Sequence, residues 1–143
     1  MGKTHNRILI DTGPLVAVLR HDDAHHQDCK EIFASHTDPF ITCWPVVTEV
    51  VWLLHHHHAA INMLFNFFEE QILAISSLNE ASPSWFSQFF DKYANLKPDF
   101  ADAAVIYLAQ REAISTIVTL DRRDFAVYRD QDGRPFHLLP ELL

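Results

Sequence analysis

The strongest constraint on the fold is the stretch RILIDTGPLVAVL at residues 7–19. Its aliphatic run at residues 8–10 predicts a strand buried on both faces, as in a parallel sheet covered by helices. Asp11 ends this run, and Gly13 and Pro14 then allow a sharp turn into a short apolar helix. Asp11 is therefore expected at the carboxyl end of a central strand, where open α/β sheets bind their ligands. A plainer interpretation is that Asp11 only caps the helix that follows.

Composition limits the class of protein. The 143 residues are 48% hydrophobic, which predicts one well-packed domain over residues 1–143. No apolar run approaches the roughly 20 residues of a membrane helix, and the amino-terminal MGKTHNRILID lacks the apolar core of an export signal. We therefore expect a cytoplasmic protein without a membrane span. Cys29 and Cys43 are not spaced for a zinc cluster or a disulfide framework, and we expect two buried thiols.

The charge distribution restricts how the chain could meet nucleic acid. A net charge of −8 is unusual for a protein that binds nucleic acid through a basic face. Residues 31–91 contain no Lys or Arg, whereas the chain from Lys92 onward is richer in both. A polyanion would therefore meet the carboxy-terminal half.

A second candidate acid, Glu49, lies in the predicted helix PVVTEVVWLLHHHH, which begins at Pro45 and follows a short strand at residues 40–43. A charge in such an apolar stretch is costly unless it is paired or binds a cation, although Glu49 could also face outward. The four histidines at residues 55–58 cannot converge on one ion, because consecutive helical residues point in different directions. We interpret them as a solvated helix end. An amphipathic helix is also predicted over residues 22–36.

The segment AAINMLFNFFEE at residues 59–70 is apolar on nearly every helical face. A helix of this kind is either deeply buried or covered by a partner. Because a small domain can hide few whole helices, we expect a homodimer or partner interface here, with core packing as the alternative.

Two further candidate acids, one in a predicted helix and one after a predicted strand, lie in the second half of the chain. KPDFADAAVIYLAQRE, residues 97–112, predicts a helix that starts near Asp99 and carries Asp102 in its first turn. Asp102 could simply be stabilised by the helix dipole. ISTIVT, residues 114–119, predicts a buried strand, and Asp121 follows it in the arrangement seen after the first strand.

The remaining predicted elements carry less chemistry. They are a strand at residues 71–76, an aromatic helix at residues 82–96 and a final strand around residues 136–138. The aromatic side chains of that helix are most simply core, since few basic residues accompany them for base stacking.

Four carboxylates could therefore gather at one edge of the sheet, those of Asp11, Glu49, Asp102 and Asp121. They would repel one another, and burial would protonate some of them. A hard divalent cation such as Mg²⁺ or Mn²⁺ resolves this conflict and can bridge to a phosphate. Such a site suits phosphodiester hydrolysis. The cation also reverses the local charge, which would allow an acidic protein to approach RNA.

Four segments make the sequence resemble the PIN domain family: ILIDTGPLVA, TEVVWLL, YANLKPDFADAAVIYLA and STIVTLDRRDF. They look like the four acidic motifs of that family, in order and across nearly the whole chain. Each motif alone is weak, whereas the ordered set is specific. The small single-domain form resembles the VapC-like toxins of bacterial type II toxin–antitoxin systems.

The resemblance implies a three-layer α/β/α sandwich with a parallel sheet in the order 3-2-1-4-5. It also implies a Mg²⁺- or Mn²⁺-dependent ribonuclease that forms dimers and binds a small antitoxin across its active-site groove. The acidic quartet, by which we mean Asp11, Glu49, Asp102 and Asp121, matches the acids of the four motifs. Asp11 and Asp102 would be the principal metal ligands, while Glu49 and Asp121 would complete the site or orient the water.

Three accessory residues lie beside the motifs. Thr12, by its motif position, could donate a hydrogen bond to a ligand carboxylate or to the scissile phosphate. Asp99 occupies a position where related chains often have a non-acidic residue, and Asp124 could hold the turn instead of a metal.

Three other functions compete with the toxin interpretation. A receiver-like signalling domain would need a phosphoacceptor Asp after its third strand and a Lys near the last, and this sequence has neither at QILAIS or ISTIVT. A PIN-like module without catalysis would keep the fold as a binding partner, and the intact acidic quartet argues against it. A general RNA-processing nuclease would need no antitoxin.

Overall fold

The computed structural model describes residues 7–141. Residues 1–6, which begin the segment examined for an export signal, and residues 142–143 lie outside the described part. The elements in chain order are β1 (Ile8–Ile10), α1 (Thr12–Leu19), α2 (His26–Ser35), β2 (Phe40–Thr42), α3 (Trp44–Leu53), α4 (His58–Glu69), β3 (Leu73–Ile75), α5 (Pro83–Lys92), a 3-10 turn (Ala94–Leu96), α6 (Phe100–Glu112), β4 (Thr116–Val118), α7 (Arg122–Phe125) and β5 (His137–Leu139).

The five strands form one parallel sheet in the order β3-β2-β1-β4-β5. Leu9 of β1 pairs with Ile41 on one side and Ile117 on the other. The predicted α/β/α fold and strand order are therefore confirmed. Because the chain order reverses at β1, the crevice beyond the carboxyl ends of β1 and β4 is the topological switch point of the sheet.

Strand β1 lies in the core and carries no polar side chain. All three of its residues are buried, as predicted for a strand covered on both faces. Helix α6 packs into the same core through small side chains, since Ala103, Ala104 and Ala109 are completely buried. These alanines let the helix backbone approach the sheet closely.

Several element boundaries differ from those predicted. Helix α2 starts only at His26, because a turn precedes it in which the Asp23 carboxylate accepts the His25 amide. Helix α3 ends at Leu53 and does not continue through the histidines; His55, His56 and His57 are exposed in the turn before α4. The predicted helix at residues 82–96 is α5 followed by the 3-10 turn.

Helix α4 is less buried in this chain than its composition suggests. Only Leu64 is fully enclosed, and Phe67 and Phe68 pack partly against the core. Met63 and Phe65 are 46% and 43% exposed. The alternative of core packing therefore accounts for one face of α4 and leaves an apolar face uncovered.

Cys29 and Cys43 are buried and unpaired, as predicted. Burial raises the pKa of the Cys29 thiol to about 12 and that of Cys43 to about 11, so neither is a reactive thiolate near neutral pH. Within residues 7–141, no helix combines the length and apolar character needed to cross a bilayer.

Candidate active site

Asp11 lies directly after β1 at the switch point of the sheet. It occupies the N-cap position of α1, but its side chain makes no capping hydrogen bond. Instead, Asp11 Oδ2 accepts a hydrogen bond of 3.0 Å from the Thr119 hydroxyl at the end of β4. Burial raises the pKa of the Asp11 carboxyl to about 6, and the neighbouring acids Asp99 and Asp121 add to this rise. The simple capping interpretation of Asp11 is therefore wrong.

Thr119 connects Asp11 to Asp121. Its Oγ1 accepts a hydrogen bond of 3.1 Å from the Asp121 amide while its hydroxyl hydrogen is donated to Asp11. The Asp121 carboxylate then caps α7 by accepting the Asp124 amide at 3.2 Å. The turn is thus held by a hydrogen bond between the Asp121 carboxylate and the Asp124 amide.

The start of α1 contacts the end of β4 at Gly13. A Cβ atom built on Gly13 would lie 3.4 Å from the Cβ of Leu120, which is an ordinary van der Waals contact. Leu120 stands between Thr119 and Asp121, so the two halves of the site meet here. Gly13 lies within α1 and is not among the residues with positive φ, so the turn predicted from it does not use a conformation special to glycine.

Glu49 points from α3 toward the same crevice. Its Oε1 accepts a hydrogen bond of 2.8 Å from the Thr12 hydroxyl at the start of α1. The pKa of Glu49 is raised to about 7. Burial is the largest cause, and a hydrogen bond with the Asp99 carboxyl is the second. The structure therefore contains a hydrogen bond from Thr12 to a candidate ligand carboxylate, and Glu49 does not face outward.

Asp99 and Asp102 bring the start of α6 into the site. Asp99 is the N-cap of this helix, and its Oδ1 accepts the Asp102 amide at 2.8 Å. Burial raises the pKa of Asp102 to about 8, and every charge that acts on it after burial is another acid: Asp11, Asp99, Asp121 and Glu49. The side chains of the acidic quartet therefore converge on one crevice. Asp99 is a fifth acid at the same place.

The donor chemistry of this crevice fits a hard cation. All the side chains gathered there offer oxygen atoms, and Asp124 Oδ1 is buried without a hydrogen-bond partner in the described residues. Within residues 7–141, no group of three or more His, Cys, Asp or Glu side chains is already arranged to enclose a metal ion. Mg²⁺ does not require such an enclosure, because it usually retains several waters and binds one or two carboxylates.

Two residues near the acids were not predicted from the sequence. Thr119 was assigned only to a strand, although a threonine that ends a strand two residues before an Asp is a signal for this linkage. Tyr128 lies outside the motifs and carries no sequence signal of a role, yet it is completely buried and its hydroxyl has no hydrogen-bond partner in the described residues.

Comparisons with known proteins agree with this geometry. The family model of the PIN domain matches residues 8–130. Ribonuclease VapC26 of Mycobacterium tuberculosis (strain ATCC 25618 / H37Rv) is 28% identical over 135 residues, covering 93% of this chain and 100% of that protein. The crystal structure of Mycobacterium tuberculosis VapC20, a Sarcin-Ricin loop cleaving toxin, matches with a TM-score of 0.69 at 18% identity, covering 80% of this chain and 90% of that one. At this identity the structural likeness shows the fold alone.

Proposed function

The chain belongs to the PIN domain family, and we propose that it is a metal-dependent endoribonuclease that hydrolyses RNA phosphodiester bonds as the toxin of a type II toxin–antitoxin pair. The observation that carries this proposal is the convergence of Asp11, Glu49, Asp99, Asp102 and Asp121 at the switch point, where burial first and the charges of the other acids second raise the pKa of Asp102 to about 8. Support for RNA as the substrate comes from the relative named Ribonuclease VapC26. We also propose that the protein acts in the cytoplasm and that its chain forms a single nuclease domain.

The acidic quartet would hold the cation. A bound Mg²⁺ or Mn²⁺ ion supplies water activation and charge neutralisation at the scissile phosphate. Thr119 holds the Asp11 carboxylate in one orientation, and Thr12 does the same for Glu49. Glu49, whose carboxylate accepts the Thr12 hydroxyl, would complete the cation site or orient the attacking water.

The first test is cleavage of a mixed structured RNA pool by the purified protein with Mg²⁺, with Mn²⁺ and with chelator. We expect cleavage with either metal, none with chelator, and none by Asp11→Asn. Asp91→Asn is the matched control, because Asp91 is an exposed acid of α5 outside the site and should leave cleavage unchanged.

Each other result of that test favours a different function. Well-folded protein that binds RNA but does not cleave it would favour a PIN-like binding module. RNA cleavage by the protein, together with the absence of an antitoxin gene next to its own gene, would favour a general RNA-processing nuclease.

We also propose that the uncovered face of α4 is buried on assembly, in a homodimer or against the antitoxin. Met63 and Phe65 are exposed there, and Phe65 contacts Phe68, which in turn lies against the exposed Trp44. We expect sedimentation to give the mass of two chains at micromolar concentration and Phe65→Asp to give one. A wild-type monomer that captures no antitoxin would contradict this assembly.

A further inference from the structure

Two buried polar atoms near α7 lack hydrogen-bond partners. In the described part of the chain, the buried side-chain atoms without a partner are Tyr128 OH, Asp124 Oδ1 and Thr42 Oγ1. The first two form a complementary pair, since a phenol can donate a hydrogen bond and a carboxylate oxygen can accept one. A buried group left without a hydrogen bond costs about 1–3 kcal/mol, so two such groups four residues apart in the chain call for an explanation.

The backbone brings Tyr128 and Asp124 together. They are four residues apart, and the Tyr128 amide donates a hydrogen bond of 3.3 Å to the Asp124 carbonyl. Tyr128 lies beyond the end of α7, and this backbone bond continues the turn that follows the helix. The Tyr128 ring is held from three sides by aromatic contacts, with ring centroids 4.9–5.3 Å away for Phe89, Tyr93 and Phe125.

Tyr128 lies close enough to the candidate active site for the charges of its acids to act on the Tyr128 hydroxyl. Burial raises the pKa of Tyr128, and the next contributions come from Asp102, Asp124 and Asp121 in that order. Arg123 is the cation next to Asp124 Oδ1, with its Nε 3.6 Å away, but its side chain is 87% exposed. Water therefore screens that ion pair, and it does not replace a buried hydrogen bond.

We propose that Tyr128 is a positioning residue of the nuclease site, which donates its hydroxyl hydrogen through one bridging water to Asp124 Oδ1, and so adds the Asp124 carboxylate to the acids that attract the cation. This inference rests on the proposed function. Asp124 lies beside Asp121, whose carboxylate already accepts the Asp124 amide. The bridged hydroxyl would hold the Asp124 carboxylate in one orientation.

Tyr128→Phe tests the inference because it removes one oxygen and keeps the ring. We expect the Mn²⁺ affinity of the RNA-free protein, measured by electron paramagnetic resonance, to fall about tenfold, as is typical when the hydrogen-bond partner of a metal-ligating group is lost. We also expect the metal concentration for half-maximal cleavage to rise by the same factor. In chelator the thermal midpoint should fall by no more than about 4 °C, because the substitution removes one hydrogen bond and keeps the packed ring.

Tyr93→Phe is the matched control, because Tyr93 packs edge-on against the Tyr128 ring and loses the same atom. It should leave Mn²⁺ affinity unchanged. A double-mutant cycle with Asp124→Asn should be non-additive, with the second substitution having little further effect on Mn²⁺ affinity. Equal Mn²⁺ affinity of wild type and Tyr128→Phe, or an additive cycle, would overturn the positioning role while leaving the nuclease intact. Wild-type protein that neither binds Mn²⁺ nor cleaves RNA would overturn the proposed function and this inference with it.

Discussion

Asp102→Asn is expected to reduce RNA cleavage by at least about 100-fold, because it removes a charged oxygen from the centre of the acidic quartet. Asp102 is the member whose pKa is raised furthest, to about 8, and it is acted on by Asp11, Asp99, Asp121 and Glu49 together. Asparagine keeps the size of the side chain but cannot neutralise a cation. Initial rates over a range of Mg²⁺ concentrations measure the effect.

The same substitution should stabilise the protein in the absence of metal. Asparagine resembles the protonated acid, so it relieves repulsion that the ionised carboxylate would suffer. We expect a gain of about 1 kcal/mol near neutral pH, since one pKa unit corresponds to about 1.4 kcal/mol and solvent screens part of the repulsion. Urea unfolding in chelator checks this gain. Cleavage at the wild-type rate would remove Asp102 from the catalytic set.

Stability in chelator is expected to fall as the pH rises from about 4 to about 8. The folded-state pKa values of Asp11, Glu49 and Asp102 are raised to about 6, 7 and 8. In each case burial is the largest cause. The folded state therefore binds more protons than the unfolded state across this window, and the free energy of unfolding decreases with pH wherever that holds. Below the window the three acids are protonated in both states, and they favour neither.

Millimolar Mg²⁺ should reverse most of this loss, and its effect should be larger at pH 8 than at pH 6. A ligand that binds only the folded state stabilises it, and ionised carboxylates bind the cation more strongly than protonated ones. Thermal midpoints measured at both pH values, with Mg²⁺ and with chelator, provide the test. The Asp102→Asn variant is the control and should show a shallower decline with pH. A wild-type midpoint that is flat with pH and indifferent to Mg²⁺ would refute the account of coupled carboxylates.

The fold was predictable because its signals are local and repeated. Residues 8–10 and the strand before Asp121 are short aliphatic runs that each end near an acid, and the structure confirms both as central strands. The strand order followed from the resemblance to the PIN domain family. Boundaries were less predictable, since the turn before α2 and the end of α3 depend on side-chain to backbone hydrogen bonds that no periodicity records.

The identity of the acids in the candidate site could be predicted from the sequence, but their hydrogen-bond partners could not. Asp11, Glu49, Asp102 and Asp121 carry a sequence signal, because each lies within or next to an apolar segment, where a charge is costly unless it is paired or binds a cation. Which group each acid contacts depends on the tertiary structure. The contact between Thr119 and Asp11 joins residues 108 positions apart, and Tyr128 approaches the acids only because three aromatic rings hold it there.

The hydrogen bonds of Thr12 and Thr119 have a consequence for how RNA can enter. Each hydroxyl has a single hydrogen, and both hydrogens are already committed to carboxylates, at 2.8 Å and 3.0 Å. Neither threonine has a proton left for a phosphate oxygen, so a phosphodiester meets mainly lone pairs at the floor of the crevice. Under the proposed function, we expect RNA to enter the crevice only together with a cation, so that a low concentration of free Mg²⁺ would keep the nuclease inactive without any inhibitor.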